Sequence, residues 1–190
     1  LGPQSFAQTL SGPTATGFFG FGSLADREVA FSFTTASHDV YLTELVFAVA
    51  IGKLILDPIQ FTLSTGSAVP GGTNPLVIGS VTPPSSSPTN QVLTLVPQTT
   101  VLLESNTTYW MHVTVPNGAA VYSFQNTTSQ VIEPGWSLGN SWSTFPGSTW
   151  SELTSGPQAR IRMSVEAVPE PSAALIGGCG IILLLHRRRR

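Results

Sequence analysis

A chain of 190 residues and 20.1 kDa fits one domain with an appended segment, and 41% hydrophobic residues can build a packed core, which excludes wholesale disorder. Charged residues make up only 9%, against roughly 25% in an ordinary soluble domain. With 22 serines, 22 threonines, 18 glycines and 15 prolines, that scarcity reads as all-β and excludes a helical bundle. The net charge of −2 hides an asymmetry: residues 1–168 hold four basic side chains against nine acids, a balance of −5, while Arg187, Arg188, Arg189 and Arg190 end the chain. Such a body has no electrostatic footprint for nucleic acid.

The chain opens at Leu1 with no signal-peptide pattern in its first residues, and the expectation is a removed leader or a truncated chain, because the other end requires export. Phe18, Phe19 and Phe21, spaced by glycines, read either as an exposed adhesive patch or as an edge strand of the core. Alternation then begins in earnest. Val29, Phe31 and Phe33 form one face of a strand, with Ala30, Ser32 and Thr34 on the other. In the next and longer strand Tyr41, Leu45, Phe47, Val49 and Ile51 are expected to share a face. Ile59, Phe61 and Leu63 alternate with Gln60, Thr62 and Ser64. Further strands are predicted over residues 76–81, 91–96, 108–115, 119–124 and 160–166. In the last, Ile161, Met163 and Val165 point inward while Arg160, Arg162 and Glu166 point to water. Turn clusters separate these runs: Pro70-Gly71-Gly72, Pro83-Pro84, Pro116-Asn117-Gly118, Pro134-Gly135 and Pro146-Gly147.

At least eight short strands without a ten-residue helical pattern predict an antiparallel β-sandwich, jelly-roll-like, over residues 1–167. The strand at Phe61, the Pro70-Gly71-Gly72 turn and the run Asn106-Thr107-Thr108-Tyr109-Trp110 are similar in order to the choice-of-anchor R domain, with a span from about residue 6 to residue 167. That resemblance implies a β-sandwich of exported bacterial proteins. The family has no established enzymatic activity, so it places no catalytic residue on this chain.

The chemistry-bearing residues are few. His38 and Asp39 are adjacent and so point to opposite faces of any strand, and neither a Gly-x-Ser-x-Gly elbow nor a His-Glu-x-x-His motif occurs. His38, His112 and His186 are scattered, and Cys179 lies in an apolar run where a thiolate is disfavoured. No enzyme, metal or cofactor is therefore expected. Asp26, Glu28, Asp39 and Asp57 fall near strand ends but lack calcium-loop spacing, and we read them as solvated loop acids. Both Asn106-Thr107-Thr108 and Asn126-Thr127-Thr128 match a glycosylation sequon, which threonine density makes a chance match. Trp136, Trp142 and Trp150, set among Ser, Gly, Thr and Asn, carry two readings. Exposed, they could stack sugar rings, whose C–H faces are apolar and whose rims are polar. Otherwise they plug the sandwich ends or lie on a hairpin with their N–H groups satisfied, which is the reading we favour on the frequency of buried large aromatics.

The tail is more specific. Residues 173–185 contain no polar side chain, and thirteen residues as a helix cover roughly 20 Å, short of the ~30 Å hydrocarbon core. A single short C-terminal transmembrane helix is therefore marginal and suits a transient anchor. Arginines 187–190 would stay cytoplasmic and leave the body outside. Just upstream, Pro169, Glu170 and Pro171 keep the chain extended, because proline lacks an N–H and disfavours helix in the residue before it. Extended Pro-Glu-Pro, short apolar helix and arginine cluster, in that order over residues 168–190, resemble the PEP-CTERM sorting signal of bacterial proteins processed by exosortase. The plainer alternative is a C-terminal anchor behind a proline-containing linker.

The resemblance implies export, cleavage near residues 169–171 by an exosortase-type membrane protease, and delivery to the cell surface or extracellular matrix. The expected function is that of a non-enzymatic matrix protein associated with exopolysaccharide or biofilm. A carbohydrate-binding module using the tryptophan-rich loop is the competing class.

Overall fold

Strand formation follows from β-branched and aromatic residues at every second position, which suit a pleated surface buried on one side. The computed structural model describes residues 5–8, 18–21, 28–51, 57–66, 69–71, 73–84, 91–116, 122–127, 132–144, 149–152, 158–159 and 161–168. Their strands are β1 (Ser5–Gln8), β2 (Phe18–Phe21), β3 (Glu28–Thr34), β4 (Val40–Ile51), β5 (Ile59–Thr65), β6 (Thr73–Val81) and β7 (Gln91–Leu95). There follow β8 (Val101–Leu103), β9 (Thr108–Thr114), β10 (Tyr122–Thr127), β11 (Ser137–Thr144), β12 (Ser151–Glu152), β13 (Gln158–Ala159) and β14 (Ile161–Ala167). No helix occurs among the described residues.

The strands form two antiparallel sheets. The six-stranded sheet runs β12-β11-β3-β9-β5-β6. The eight-stranded sheet runs β1-β14-β4-β10-β13, with β2 on β10 and both β7 and β8 on β4. Their inner faces meet in one apolar cluster that includes Phe33, Leu45, Phe47, Ile59, Phe61, Met111 and Ile161. Phe47 of one sheet lies against Phe61 of the other, with ring centroids 4.7 Å apart. The predicted class, an all-β antiparallel sandwich, is what forms.

Two buried tyrosines tie loops to this core. The Tyr122 hydroxyl donates to the Asp57 carbonyl at 2.7 Å and accepts from the Asp57 N–H at 2.9 Å, so β10 holds the entry to β5. The Glu104 N–H donates to the Tyr109 hydroxyl at 2.7 Å, a corner that pins the β8–β9 turn. That turn is clamped to the β3–β4 loop. Thr35 Oγ1 donates to the Glu104 carbonyl (2.6 Å) and accepts from Thr107 N–H (2.9 Å), while Asn106 N–H reaches the Ala36 carbonyl (2.8 Å). Asn106 sits at φ 50°, a left-handed position that asparagine tolerates better than most residues.

Where the structure departs from the predicted faces, a bulge is responsible. Ser164 pairs with Glu44 but Val165 pairs with Leu42, so β4 carries an extra residue at Thr43, whose hydroxyl bonds the Ser164 carbonyl at 3.0 Å. The bulge switches the phase of β4. Val40 and Leu42 face the core before it, and Leu45, Phe47 and Val49 after it. Tyr41, expected on the core face with Leu45, stands on the other face and is half-buried.

In β14, Ile161, Met163 and Val165 are buried as predicted, and Arg162 pairs with Glu44 at 3.7 Å on the outer side. Strands β1, β8, β11, β12 and β13 were not anticipated, and β10 starts three residues later than the predicted run at 119–124. Strand β2 shows that the Phe18–Phe21 backbone pairs with β10, although the side chains of those phenylalanines lie outside the described residues. So do Asn117-Gly118 and the whole tail with Pro169, Glu170, Pro171, Cys179 and arginines 187–190. Among the described residues no helix is long and apolar enough to cross a membrane.

Candidate functional site

The register of the six-stranded sheet sorts its side chains into two faces. Val29, Phe31 and Phe33 in β3 pair with Val113, Met111 and Tyr109 in β9, all turned to the core. The alternate residues look outward: Ala30 opposite His112, Ser32 opposite Trp110, Thr34 opposite Thr108. Across the next edge of β3, Trp142 of β11 lies opposite Ala30, and across β9, Ser64 of β5 lies opposite Trp110. The outward face thus gathers Trp110 and His112 of β9 and Trp142 of β11, the two strands that flank β3.

A fourth ring joins them from the β11–β12 hairpin. Trp150 stands edge-on to His112, with centroids 5.6 Å apart and planes at 71°. Trp110 and Trp142 meet in the same manner at 6.3 Å and 86°. Beneath these rings the sheet carries small residues, Ala30, Ser32 and Ser64, which leave room for them and are themselves buried. Trp110 is only 3% exposed although it faces away from the core, whereas Trp142 and Trp150 are half-buried. Gly139 in β11 belongs to the same arrangement, because a Cβ there would fall 2.0 Å from Ser32 Oγ. The β11 register shifts between Leu138 and Ser141, and this bulge puts Trp142 in phase with Ala30.

Polar partners line the face. His112 Nε2 and Ser64 Oγ are 2.9 Å apart, and burial pushes the imidazole pKa below its ordinary value, which keeps the ring neutral. The Asn140 amide donates to the Glu152 carboxylate, and Glu152 is the cross-strand neighbour of Trp142. Thr34 and Thr108 share a hydroxyl–hydroxyl bond at 2.9 Å. Burial also raises the pKa of Glu28, at the end of β3.

The three tryptophans singled out by the sequence therefore part company. Trp136 stacks on Phe33 (6.2 Å), which stacks in turn on Tyr109 (5.6 Å), and it packs against the core. Trp142 and Trp150 go to the outward face. Trp110 and His112, the other two rings there, were not read as candidates. The available signal was parity, since both alternate with the core residues Tyr109, Met111 and Val113.

Other candidates do not converge. His38 is exposed, and Asp39 accepts the Ser105 N–H at 2.8 Å as part of the loop clamp. The Ser64–His112 contact resembles half of a nucleophilic pair, yet Ser64 is 2% exposed and burial alone shifts His112, with no charged group contributing. No group of three or more His, Cys, Asp or Glu that could hold a metal occurs among the described residues. An open groove of roughly 720 Å³ lies on the eight-stranded sheet, lined by Tyr41, Thr43, Val96, Gln98, Thr100 and Glu166. Its lining is mixed and none of its acids or amides is buried.

No protein-family model and no curated protein matches this chain. Among solved structures, a chain of the infectious bursal disease virus Gx strain structure matches at 11% identity over 90% of this chain, with a TM-score of 0.33. This chain spans 43% of the viral one. A likeness that distant carries no argument about fold or role.

Proposed function

We propose that this chain is a non-enzymatic, exported surface protein of the PEP-CTERM type, with a choice-of-anchor R-like sandwich as its body. Residues 168–190 act as a disposable sorting segment: 173–185 span the inner membrane transiently as a short helix, and arginines 187–190 hold the C-terminus in the cytoplasm. An exosortase-type protease then cleaves near Pro169–Pro171, and the body reaches the surface or the exopolysaccharide matrix.

The single observation that carries this reading is the order of motifs in the tail, Pro-Glu-Pro, apolar run and four arginines. The end of the body is compatible with it. Strand β14 is held between β1 and β4, and its last bond is Val168 N–H to the Asp39 carbonyl at 3.2 Å, immediately before Pro169. Cleavage beyond Val168 would remove none of the described contacts.

Replacing arginines 187–190 by serine, or Pro169, Glu170 and Pro171 by alanine, is expected to trap the protein unprocessed or misplaced. If both variants reach the surface at wild-type size and amount, the sorting role is wrong. Mass spectrometry of the C-terminus of the native protein locates the cleavage and any group left on it.

A second reading has its own observation. Half-buried Trp142 and Trp150 on one outward face, among serines and threonines, favour a carbohydrate-binding role within the same exported protein.

A further inference from the structure

The geometry points to the outward face of the six-stranded sheet, around Trp142 and Trp150, as a binding site for an uncharged polysaccharide, and against an anionic one. This rests on the carbohydrate-binding reading above and specifies its site and ligand class.

The argument starts from ring geometry. A perpendicular contact engages at most one face of either ring. Trp110 therefore leaves at least one face of the Trp142 indole unused, and His112 does the same for Trp150. Each half-buried indole is thus propped edge-on by a second ring, the fully buried Trp110 for Trp142 and the half-buried His112 for Trp150, over the small residues Ala30, Ser32 and Ser64. Such rings lose little freedom when a ligand stacks on them, which favours binding. An apolar C–H face of a pyranose suits the exposed part of a half-buried indole, and the Asn140–Glu152 pair beside Trp142 offers donors and acceptors to its hydroxyls.

Charge selects between ligand classes. Among the described residues the ionisable groups on this face are Glu28, Glu152 and a His112 whose pKa burial lowers. Among the described residues the one lysine or arginine is Arg162, which lies on the eight-stranded sheet and pairs with Glu44. Among the described residues a uronate or sulfated chain would therefore meet carboxylates and no cation, whereas a neutral glycan meets hydrogen-bonding groups and rings.

The test is a tryptophan-fluorescence titration of the full chain in detergent micelles with hydroxyethyl cellulose and dextran as neutral probes and alginate as the anionic one. A saturable change with a neutral probe and none with alginate is expected. Trp142→Ala and Trp150→Ala should each weaken binding by about tenfold or more, while Trp150→Phe, which keeps a stacking ring, and Val92→Ala, on the opposite sheet, should stay within about threefold of wild type. Retention of wild-type affinity in both alanine variants would overturn the site. Tighter binding of alginate would overturn the ligand class and leave a carbohydrate-binding role standing. Absence of binding to all three probes removes both.

Discussion

The two sheets of this sandwich have similar inner faces and different outer ones. On the eight-stranded sheet the outward residues include Val92, Leu102 and Glu166, exposed to solvent, with Val92 at 69%. On the six-stranded sheet the outward residues at the centre include Ala30, Ser32, Ser64 and Trp110, which are buried. Facing away from the core and facing water are thus separate properties. The second sheet carries a small aromatic layer outside the sandwich because one hairpin brings Trp142 and Trp150 across it, and that layer is the surface on which the proposed glycan would stack.

The contrast is sharpest in stability. Trp110→Ala is expected to cost about 3–5 kcal/mol in urea unfolding, as a core aromatic would. Val92→Ala, also outward-facing, should stay within about 0.5 kcal/mol. Equal, small effects for the two would erase the distinction between the outer faces. Next in size, Tyr122→Phe should destabilise by about 1–3 kcal/mol, since it leaves the Asp57 backbone groups without their hydroxyl partner. That change tests the inner layer alone and should leave the fluorescence of the outward tryptophans unaltered.

Gly139→Ala probes the outer layer by crowding. It should cost about 1 kcal/mol through the clash with Ser32 Oγ, and Ser32→Ala in the same chain should recover most of the loss. The smallest effect is a pH slope. Burial lowers the folded-state pKa of His112, so below the ordinary value of 6.5 the unfolded chain takes up more protons than the folded one. Stability should therefore fall as pH drops below 6.5, and His112→Gln should flatten that part of the urea-midpoint profile. Glu28, whose pKa burial raises, acts the other way above its ordinary value of 4.5, where rising pH costs stability.

Much of the inner layer was legible from residue order. Strands β3, β5, β9 and β14 carry large apolar residues at alternate positions, and those residues are the ones in the core. Strand β11 was hidden because, beyond Leu138, its core-facing positions are Ser141 and Ser143, small polar residues that give no alternation signal. Strand β8 is three residues long, and β12 and β13 are two each, below the length at which a period of two can be recognised. The face of Tyr41 was misjudged because a single bulge at Thr43 inverts every position before it, and nothing in the local composition marks that bulge.

For the candidate site the division is similar. Trp142 and Trp150 stood out by composition, but Trp136, equally prominent, joined the core by stacking on Phe33. Trp110 entered only as part of a strand motif and His112 only as one of three scattered histidines, and neither was assigned to an aromatic face.

Residue order was enough to specify the all-β class, most inward faces and the motif order of the tail, since each depends on neighbours within a few positions. Only the folded arrangement assigned the aromatic layer, because bringing Trp150 onto His112 requires contact between residues 38 positions apart, across the two strands β11 and β3 that separate β12 from β9. Whether an outward face is covered depends on what the rest of the chain lays over it, and periodicity along one strand contains no information about that.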